Sequence, residues 1–384
     1  MEVAGMNILV TGGAGFIGRN VVRALAAKGH AVTVFDNLLP QVHGADARPD
    51  MGLADVADVV LGDVADAAAF HAHLPGKDVV IHLAAETGTG QSMYDILGYE
   101  RTNIHGTSVL MDFLVNNKRS RIRKIVVASS RAVYGEGKYE CAEHGYVYPR
   151  CRDDRRMRAG QFDPLCPLCG ATATSVPTDE DAQILPTSYY GVTKYTQEST
   201  VLLYARALGL SAYALRYQNV FGPGQSLVNP YTGILAIFAG LAKSAKPIEV
   251  FEDGLESRDF VFIDDVVEAT NRCVCATGEA VEVLNVGSGK ATTVREVADK
   301  INQYFGGASS VSVSGAYRKG DIRHNVACLA NAGRVIGFEP RGAFDDGLRK
   351  FLDWSLEAGV TDGAGYEKSL AELERAGLLI GRAR

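Results

Sequence analysis

Tyr190 and Lys194 stand four residues apart in the stretch TSYYGVTKYTQE, a spacing that puts both side chains on one face of a helix. A tyrosine ordinarily titrates near ~10 and is a weak base at neutral pH. A lysine ammonium beside it, and a nicotinamide cation where one binds, would favour the phenolate and bring the pair toward working pH. Tyr189 and Tyr195 flank the pair, and neither has a lysine four residues on. Such pairs also arise by chance on helix surfaces, so this one needs company. Upstream, VASSRAVYG closes a β-rich run, and Ser130 there can hydrogen-bond a substrate hydroxyl. The plainer alternative is that Ser129 and Ser130 cap a strand end.

The company is a glycine loop. Gly12, Gly15 and Gly18 in TGGAGFIG are spaced G-x2-G-x2-G directly after an apolar run and at the opening of a helical one. Glycines there let the backbone turn sharply and approach a pyrophosphate, while the helix start supplies N–H donors and the positive dipole end. Asp36 ends the second apolar run, where a carboxylate hydrogen-bonds ribose hydroxyls and repels a 2′-phosphate, so the loop predicts NAD rather than NADP. Capping a turn is the other use for Asp36. Asp63 and Val64 in GDV are expected near the adenine, and Leu83, Ala84 and Ala85 along the far side of the cofactor. Phe16 and Ile17 in the loop and Asn37 after Asp36 complete the expected cofactor contacts, together with Tyr190 and Lys194.

Four of seven cysteines fall in YECAEHGYVYPRCRDDRRMRAGQFDPLCPLCGA, residues 139–171. Cys141-x2-His144 and Cys166-x2-Cys169 form two knuckles suited to one tetrahedral zinc, with Cys151 as a competing fourth ligand in place of His144. Four protein ligands leave no open position, so the expected site is structural; unpaired cysteines in a loose insertion are the alternative. The run RCRDDRRMR, 150–158, is expected to be a solvated face.

The elements that must position these residues follow from the pattern around them. NILVTG (7–12), AVTVFD (31–36), DVVLGD (58–63), DVVIHLAA (78–85) and KIVVAS (124–129) are near-continuous apolar runs of strand length. That suits strands buried on both faces of a parallel sheet. Helical spacing at 19–29 and 103–117 alternates with them, and a later helix over 190–207 precedes the strand-like SAYALRY (211–217). The order predicts an α/β fold: a Rossmann-type doubly wound parallel sheet with a smaller C-terminal substrate lobe and a zinc-ribbon-like insertion. The expected division is 1–218 for the NAD-binding domain, with 139–171 inserted in it, 219–355 mainly for the substrate lobe, and 356–384 for a charged tail packing as one helix. Ser130 then lies at the carboxyl edge of the sheet, where ligands bind in such folds.

Bulk properties exclude other classes. The formal net charge of −6 argues against a broad nucleic-acid footprint, and GILAIFAGLA (233–242), the longest strongly apolar stretch, is too short to span a bilayer. An odd number of cysteines without a basic, apolar leader suggests a cytoplasmic chain rather than a disulfide framework.

Over roughly residues 6–355 the sequence resembles the extended short-chain dehydrogenase/reductases, and within them the NAD-dependent nucleotide-sugar epimerases and dehydratases. The likeness rests on TGGAGFIG, HLAA, SSRAVYG, YYGVTK, LRYQNVFGP, SRDFVFIDDV and YRKGDIRH. It implies that Ser130, Tyr190 and Lys194 are catalytic and that Asn103 supports the cofactor and an active-site water. It also implies that Asn219 and Arg258 hold the diphosphate, that Arg318 and Asp321 close over the nucleoside, and that Glu86, Thr87, Ser130, Arg131 and Tyr190 meet the substrate. Arginine forks and amide donors suit a diphosphate. A surface ion pair with Asp259 is the other reading of Arg258. Related 4,6-dehydratases carry an Asp-Glu pair after the hydroxyl residue, where this chain has Arg131 and Ala132. Elimination lacks its acid, which leaves oxidation and re-reduction, and Arg131 is left to touch a sugar hydroxyl or a phosphate. QSMYDI (91–96), NPYTGI (229–234), EDGLESRDFV (252–261) and the ribbon-like insert resemble the subgroup around dTDP-L-rhamnose 4-epimerase. The resemblance implies a 4-epimerase acting on dTDP-L-rhamnose or another nucleoside-diphosphate hexose, as a homodimer without nucleic-acid or membrane partners. A 4,6-dehydratase with a relocated acid, or a non-catalytic NAD-binding protein with a nucleic-acid-binding ribbon, are the alternatives.

Overall fold

The computed structural model describes residues 5–44, 47–48, 52–227, 229, 233–359 and 364–381. Pro230, Tyr231 and Thr232 of NPYTGI lie outside them. Seven strands form one parallel sheet: β1 (Asn7–Thr11), β2 (Ala31–Asp36), β3 (Asp58–Leu61), β4 (Val79–His82), β5 (Lys124–Ser130), β6 (Ser211–Tyr217) and β7 (Val281–Val286). Their order is β7-β6-β5-β4-β1-β2-β3. Alternate residues of each strand feed opposite faces. Ile8, Val10, Val34 and Ile81 join one core with helix α1 (Phe16–Ala27), while Leu9, Phe35, Val80 and Val127 join another. The second core is covered by helices α2 (Gly106–Asn116) and α3 (Tyr189–Leu208). Burial on both faces is why the strands read as continuous apolar runs.

The sheet is a doubly wound Rossmann type. Its last strand, β7, comes from beyond residue 218, where no strand was expected; it pairs with β6 over Val281↔Ala212 to Val286↔Tyr217. The chain therefore returns to the sheet after the break drawn at 218. The register Ser130↔Tyr217 brings the ends of β5 and β6 side by side at the carboxyl edge. Beyond that edge a smaller sheet of Asn219–Phe221, Ser257–Phe262, Ala291–Thr293 and His324–Asn325 carries Asn219 and Arg258.

The insertion is a three-stranded antiparallel ribbon, with Tyr139–Cys141 between Gly145–Val147 and Thr174–Ser175. Tyr139, Cys141, Val147, Cys166 and Ala173 make a small core of their own. The 150–158 run is not simply a solvated face. A short helix, Asp154–Arg158, is capped by Asp153 and turns Met157 inward against Phe162 and Tyr317, and the Arg152 side chain is buried among carboxylates. Arg152 departs from the solvated pattern because it is held inside by remote carboxylates, whereas Arg158, paired with Asp154, stays exposed.

The tail also departs from one helix. The preceding helix ends at Glu357, and helix α4 (Ala364–Arg375) is followed by a short strand, Leu379–Ile380, antiparallel to Tyr317–Arg318. Gly377, with φ +66°, makes the turn between them. Among the described residues no helix is long and apolar enough to cross a membrane.

Candidate active site

A cavity of about 520 Å3 runs along the carboxyl edge of the sheet. Its first end is built by the glycine loop. Gly12 has φ +66°, and a Cβ there would sit 2.7 Å from the Ala84 nitrogen. A Cβ at Gly18 would sit 2.2 Å from the Gly12 carbonyl oxygen, so any side chain would push α1 off the loop. Glycine is required at both, and the result is a bare cradle at a helix start, the geometry that takes a pyrophosphate. Gly12, Gly15, Phe16, Ile17, Gly18, Asp36, Asn37, Val64, Leu83, Ala84 and Ala85 all line the cavity. Asp36 is buried, its two oxygens accepting the Ala14 N–H at 3.0 Å and the Leu38 N–H at 2.9 Å. His43 approaches it to 3.5 Å. Asp63 is not in the lining; it pairs with Arg101 at 2.6 Å. Asn103, fully buried, is also behind the wall. Its amide accepts the Glu86 N–H at 2.8 Å, donates to the Glu86 carbonyl at 3.1 Å and to the Thr193 hydroxyl at 2.9 Å, tying the loop after β4 to α3.

Ser130, Tyr190 and Lys194 meet in the middle of the cavity. Ser188 caps α3 by accepting the Gly191 N–H at 3.2 Å. A Cβ at Gly191 would lie 2.5 Å from the Ala132 carbonyl, so that glycine lets the helix start rest on the turn after Ser130. Burial pushes the Tyr190 phenol above its ordinary value; the Ser130 hydroxyl and the Arg131 guanidinium oppose the shift. Burial also lowers Lys194 to about 7, and its amine donates to the Ala128 carbonyl and the Gln197 amide, each at 2.9 Å. Arg131 is thus a second cation beside the Tyr190 phenol, in addition to the lysine four residues on.

The far end is lined by Glu86, Thr87, Arg131, Asn219, Arg258, Arg318 and Asp321. Arg258 does not pair with Asp259, whose carboxylate accepts the N–H groups of Ser288, Gly289 and Ala327. Arg258 instead donates to Asp321 at 3.2 Å and to the carbonyls of Ser257, Ile322 and Arg323. Arg318 binds the other Asp321 oxygen at 3.0 Å. Burial raises the Asp321 carboxyl, but Arg318, Arg258, Arg131 and Arg152 outweigh it and hold it below the usual carboxylate range. Burial and Arg258 lower Arg131 to about 10. Arg131, Arg258 and Arg318 gather around Asp321 here, with Glu86, Glu249, Glu252 and Glu256 also in the lining, and the three guanidiniums are the groups that suit a diphosphate.

Two parts of the site were missed from sequence. Gln218 lines the cavity with both amide atoms buried and without a hydrogen-bond partner, and Asn219 Oδ1 beside it is likewise unpartnered. Buried orphans of this kind cost ~1–3 kcal/mol each until something pairs them. Gln218 sits inside the quoted LRYQNVFGP, next to the assigned Asn219, so the signal was its polarity at a strand end. The other is the tail: Tyr366, Ser369, Leu370 and Leu373 of α4 cover the far end.

In the insertion, ligand atoms of Cys141, His144, Cys166 and Cys169 all lie within 4.8 Å of one another. Cys141 Sγ is 3.7 Å from both His144 Nδ1 and Cys169 Sγ, and Cys166 Sγ is 3.7 Å from His144 Nδ1. Tetrahedral ligands at ~2.0–2.3 Å from one zinc are separated by roughly 3.5–3.8 Å. The donor set and spacing fit zinc. Cys151 is exposed and outside the group, so His144 is the fourth member. None of the four lines the cavity.

A model of the NAD-dependent epimerase/dehydratase family matches residues 8–150 and 166–287, leaving out residues 151–165 of the insertion. The chain is similar to the dTDP-L-rhamnose 4-epimerase of Burkholderia thailandensis, 40% identical over 354 residues, covering 92% of this chain and 95% of that protein. Among solved structures it is similar to the UDP-glucose 4-epimerase of Thermotoga maritima with UDP-glucose, at 28% identity and a TM-score of 0.74, covering 92% and 99%. It is also similar to MoeE5 in complex with UDP-glucuronic acid and NAD, at 28% identity and a TM-score of 0.72, covering 92% and 99%. The chain belongs to the NAD-dependent epimerase/dehydratase family.

Proposed function

We propose that this family member is an NAD-dependent nucleotide-sugar 4-epimerase, with dTDP-L-rhamnose or another nucleoside-diphosphate hexose as substrate. The observation that carries the reading is one continuous cavity with a dinucleotide cradle at one end, an arginine-rich end at the other, and the Ser130–Tyr190 pair between them. Bound NAD would supply reversible hydride acceptance. Ser130 would orient the sugar 4-hydroxyl and Tyr190 would take its proton, returning it after the 4-keto sugar presents its other face. Arg131 favours the phenolate that this needs, and Lys194 would contact the cofactor. Asn219, Arg258 and Arg318 would bind the diphosphate and Asp321 would keep the two arginines aimed. A 4,6-dehydratase needs an acid beside Ser130, and this chain has Arg131 and Ala132 there.

We assign one structural zinc to Cys141, His144, Cys166 and Cys169; the reading is supported by the 3.7 Å separations. Seven free thiols suit a reducing compartment, which supports the cytoplasm. A homodimer is supported by apolar side chains left exposed on helices, Leu97 and Leu203 among them.

The test is incubation of the purified protein with UDP-, dTDP- and GDP-sugars without added NAD, reading the sugar by NMR. Inversion at C4 in one of them, with NAD(H) released on denaturation, is the expected result. A stable 4-keto-6-deoxy product would replace the reading by the dehydratase one, and NADP(H) in the supernatant would sink the role given to Asp36.

A further inference from the structure

We infer that Arg152, carried by the ribbon insertion, is a positioning residue for the nucleotide-sugar diphosphate: it holds the Asp321 loop where Asp321 can aim Arg258 and Arg318 into the cavity. The inference rests on reading the far end of the cavity as a nucleotide-sugar site.

The Arg152 side chain is only 4% exposed. Its Nη2 donates to the Asp321 carbonyl at 2.9 Å, and its Nη1 donates to Glu252 Oε2 at 2.8 Å and to the Phe162 carbonyl at 3.3 Å. Its Nε lies 3.1 Å from Glu136 Oε1. Asp321 is thus held from two sides, its carbonyl by the insertion and its carboxylate by Arg258 and Arg318. A second strut runs parallel. Arg323 bonds Asp163 of the insertion at 3.0 Å, Glu252 at 3.0 Å and Asp253 at 2.6 Å, and its backbone N–H is accepted by Glu136 at 2.8 Å. Glu136 follows the turn that bears Arg131, so the network joins the catalytic strand end, the insertion and the nucleotide loop.

Arg152 does not line the cavity, whereas Glu252, Arg258, Arg318 and Asp321 do. It therefore acts through them rather than on the substrate. Buried charges must be paired, and a paired network in low dielectric is stiff. A guanidinium fork reaches the carbonyl and two carboxylates from separate nitrogens, whereas an ammonium offers its three donors from one point and cannot span the same positions.

The test compares wild type with Arg152→Lys, which keeps the charge and loses the fork. UDP and dTDP affinity by calorimetry is expected to fall about tenfold. The KM for the nucleotide sugar should rise in step while kcat stays within about twofold, since the reacting atoms are untouched. NAD and zinc content should not change. Arg152→Met takes the guanidinium from Glu136 and leaves Glu252 with Arg323 alone of the two, and is expected to melt earlier. Adding Glu136→Gln should restore melting but not nucleotide affinity. Wild-type affinity and KM in Arg152→Lys would overturn the inference, as would affinity that returns together with stability in the double variant. Wild type that binds dTDP or UDP but epimerises nothing would refute the 4-epimerase reading and leave Arg152 to be judged on binding. Wild type that binds neither nucleotide overturns both.

Discussion

At the residue scale, Tyr190 is the proposed base and its surroundings pull in opposite directions. Burial disfavours the phenolate, while the Ser130 hydroxyl and Arg131 favour it. Tyr190→Phe removes the base and leaves the glycine cradle intact. Turnover should fall by about 10²–10⁴-fold with NAD content unchanged; activity within threefold of wild type would exclude Tyr190 as the base. His82 poses a different problem. It is fully buried between the Thr11 hydroxyl at 2.8 Å and the Thr107 hydroxyl at 3.1 Å, and burial with Lys194 nearby lowers it to about 3 from 6.5. A lowered histidine stays neutral when folded but gains a proton when unfolded, so stability is lost as pH falls from 6.5 toward 3. The slope is at most ~1.4 kcal/mol per pH unit, or about 2 kcal/mol between pH 6.5 and 5. Denaturant unfolding of His82→Gln at those two pH values should lack that part of the loss. An identical acid slope in the variant would show that His82 does not contribute it.

At the element scale, the insertion has few apolar residues, and its core amounts to Tyr139, Cys141, Val147, Cys166 and Ala173. Metal binding would supply the ordering that such a core cannot. Wild type should contain about one zinc per chain, the stoichiometry of four ligands in one site. Cys166→Ser is expected to lose the metal and melt earlier, with activity falling through the unfolded fraction. Metal analysis giving a well-folded, zinc-free wild type would dispose of the site. The spacing of the knuckles was legible in the sequence. The choice of His144 over Cys151 was not, because both lie within reach along the chain and only the turn after Cys141 brings one of them to the cluster. The burial of Arg152 was hidden for the same reason: its partners, Glu136, Glu252 and Asp321, are far away in sequence.

At the scale of the whole molecule, the C-terminal segment contributes to the cavity wall. Leu379–Ile380 pairs with the strand that carries Arg318, and Tyr366, Leu370 and Leu373 line the cavity. Removing residues 364–384 should weaken nucleotide-sugar binding about tenfold or more, the equivalent of ~1.4 kcal/mol. NAD content should be unaffected, because the cradle is at the other end. Unchanged affinity in the truncated protein, measured by calorimetry, would exclude the tail from the site. What the sequence determined by itself was whatever is local or periodic: the apolar runs of a parallel sheet, the glycine loop with Asp36, Tyr190 and Lys194 on one helix face, and the paired knuckles. Backbone sterics and side-chain spacing act within a few residues, so the chain spells them out directly. Only the tertiary structure decided that Arg131 stands beside the phenol, that Asp63 turns to Arg101, that β7 returns to the sheet and that the tail lines the cavity. Each of these depends on which remote groups burial brings together, and desolvation and Coulomb forces act through that proximity rather than through sequence.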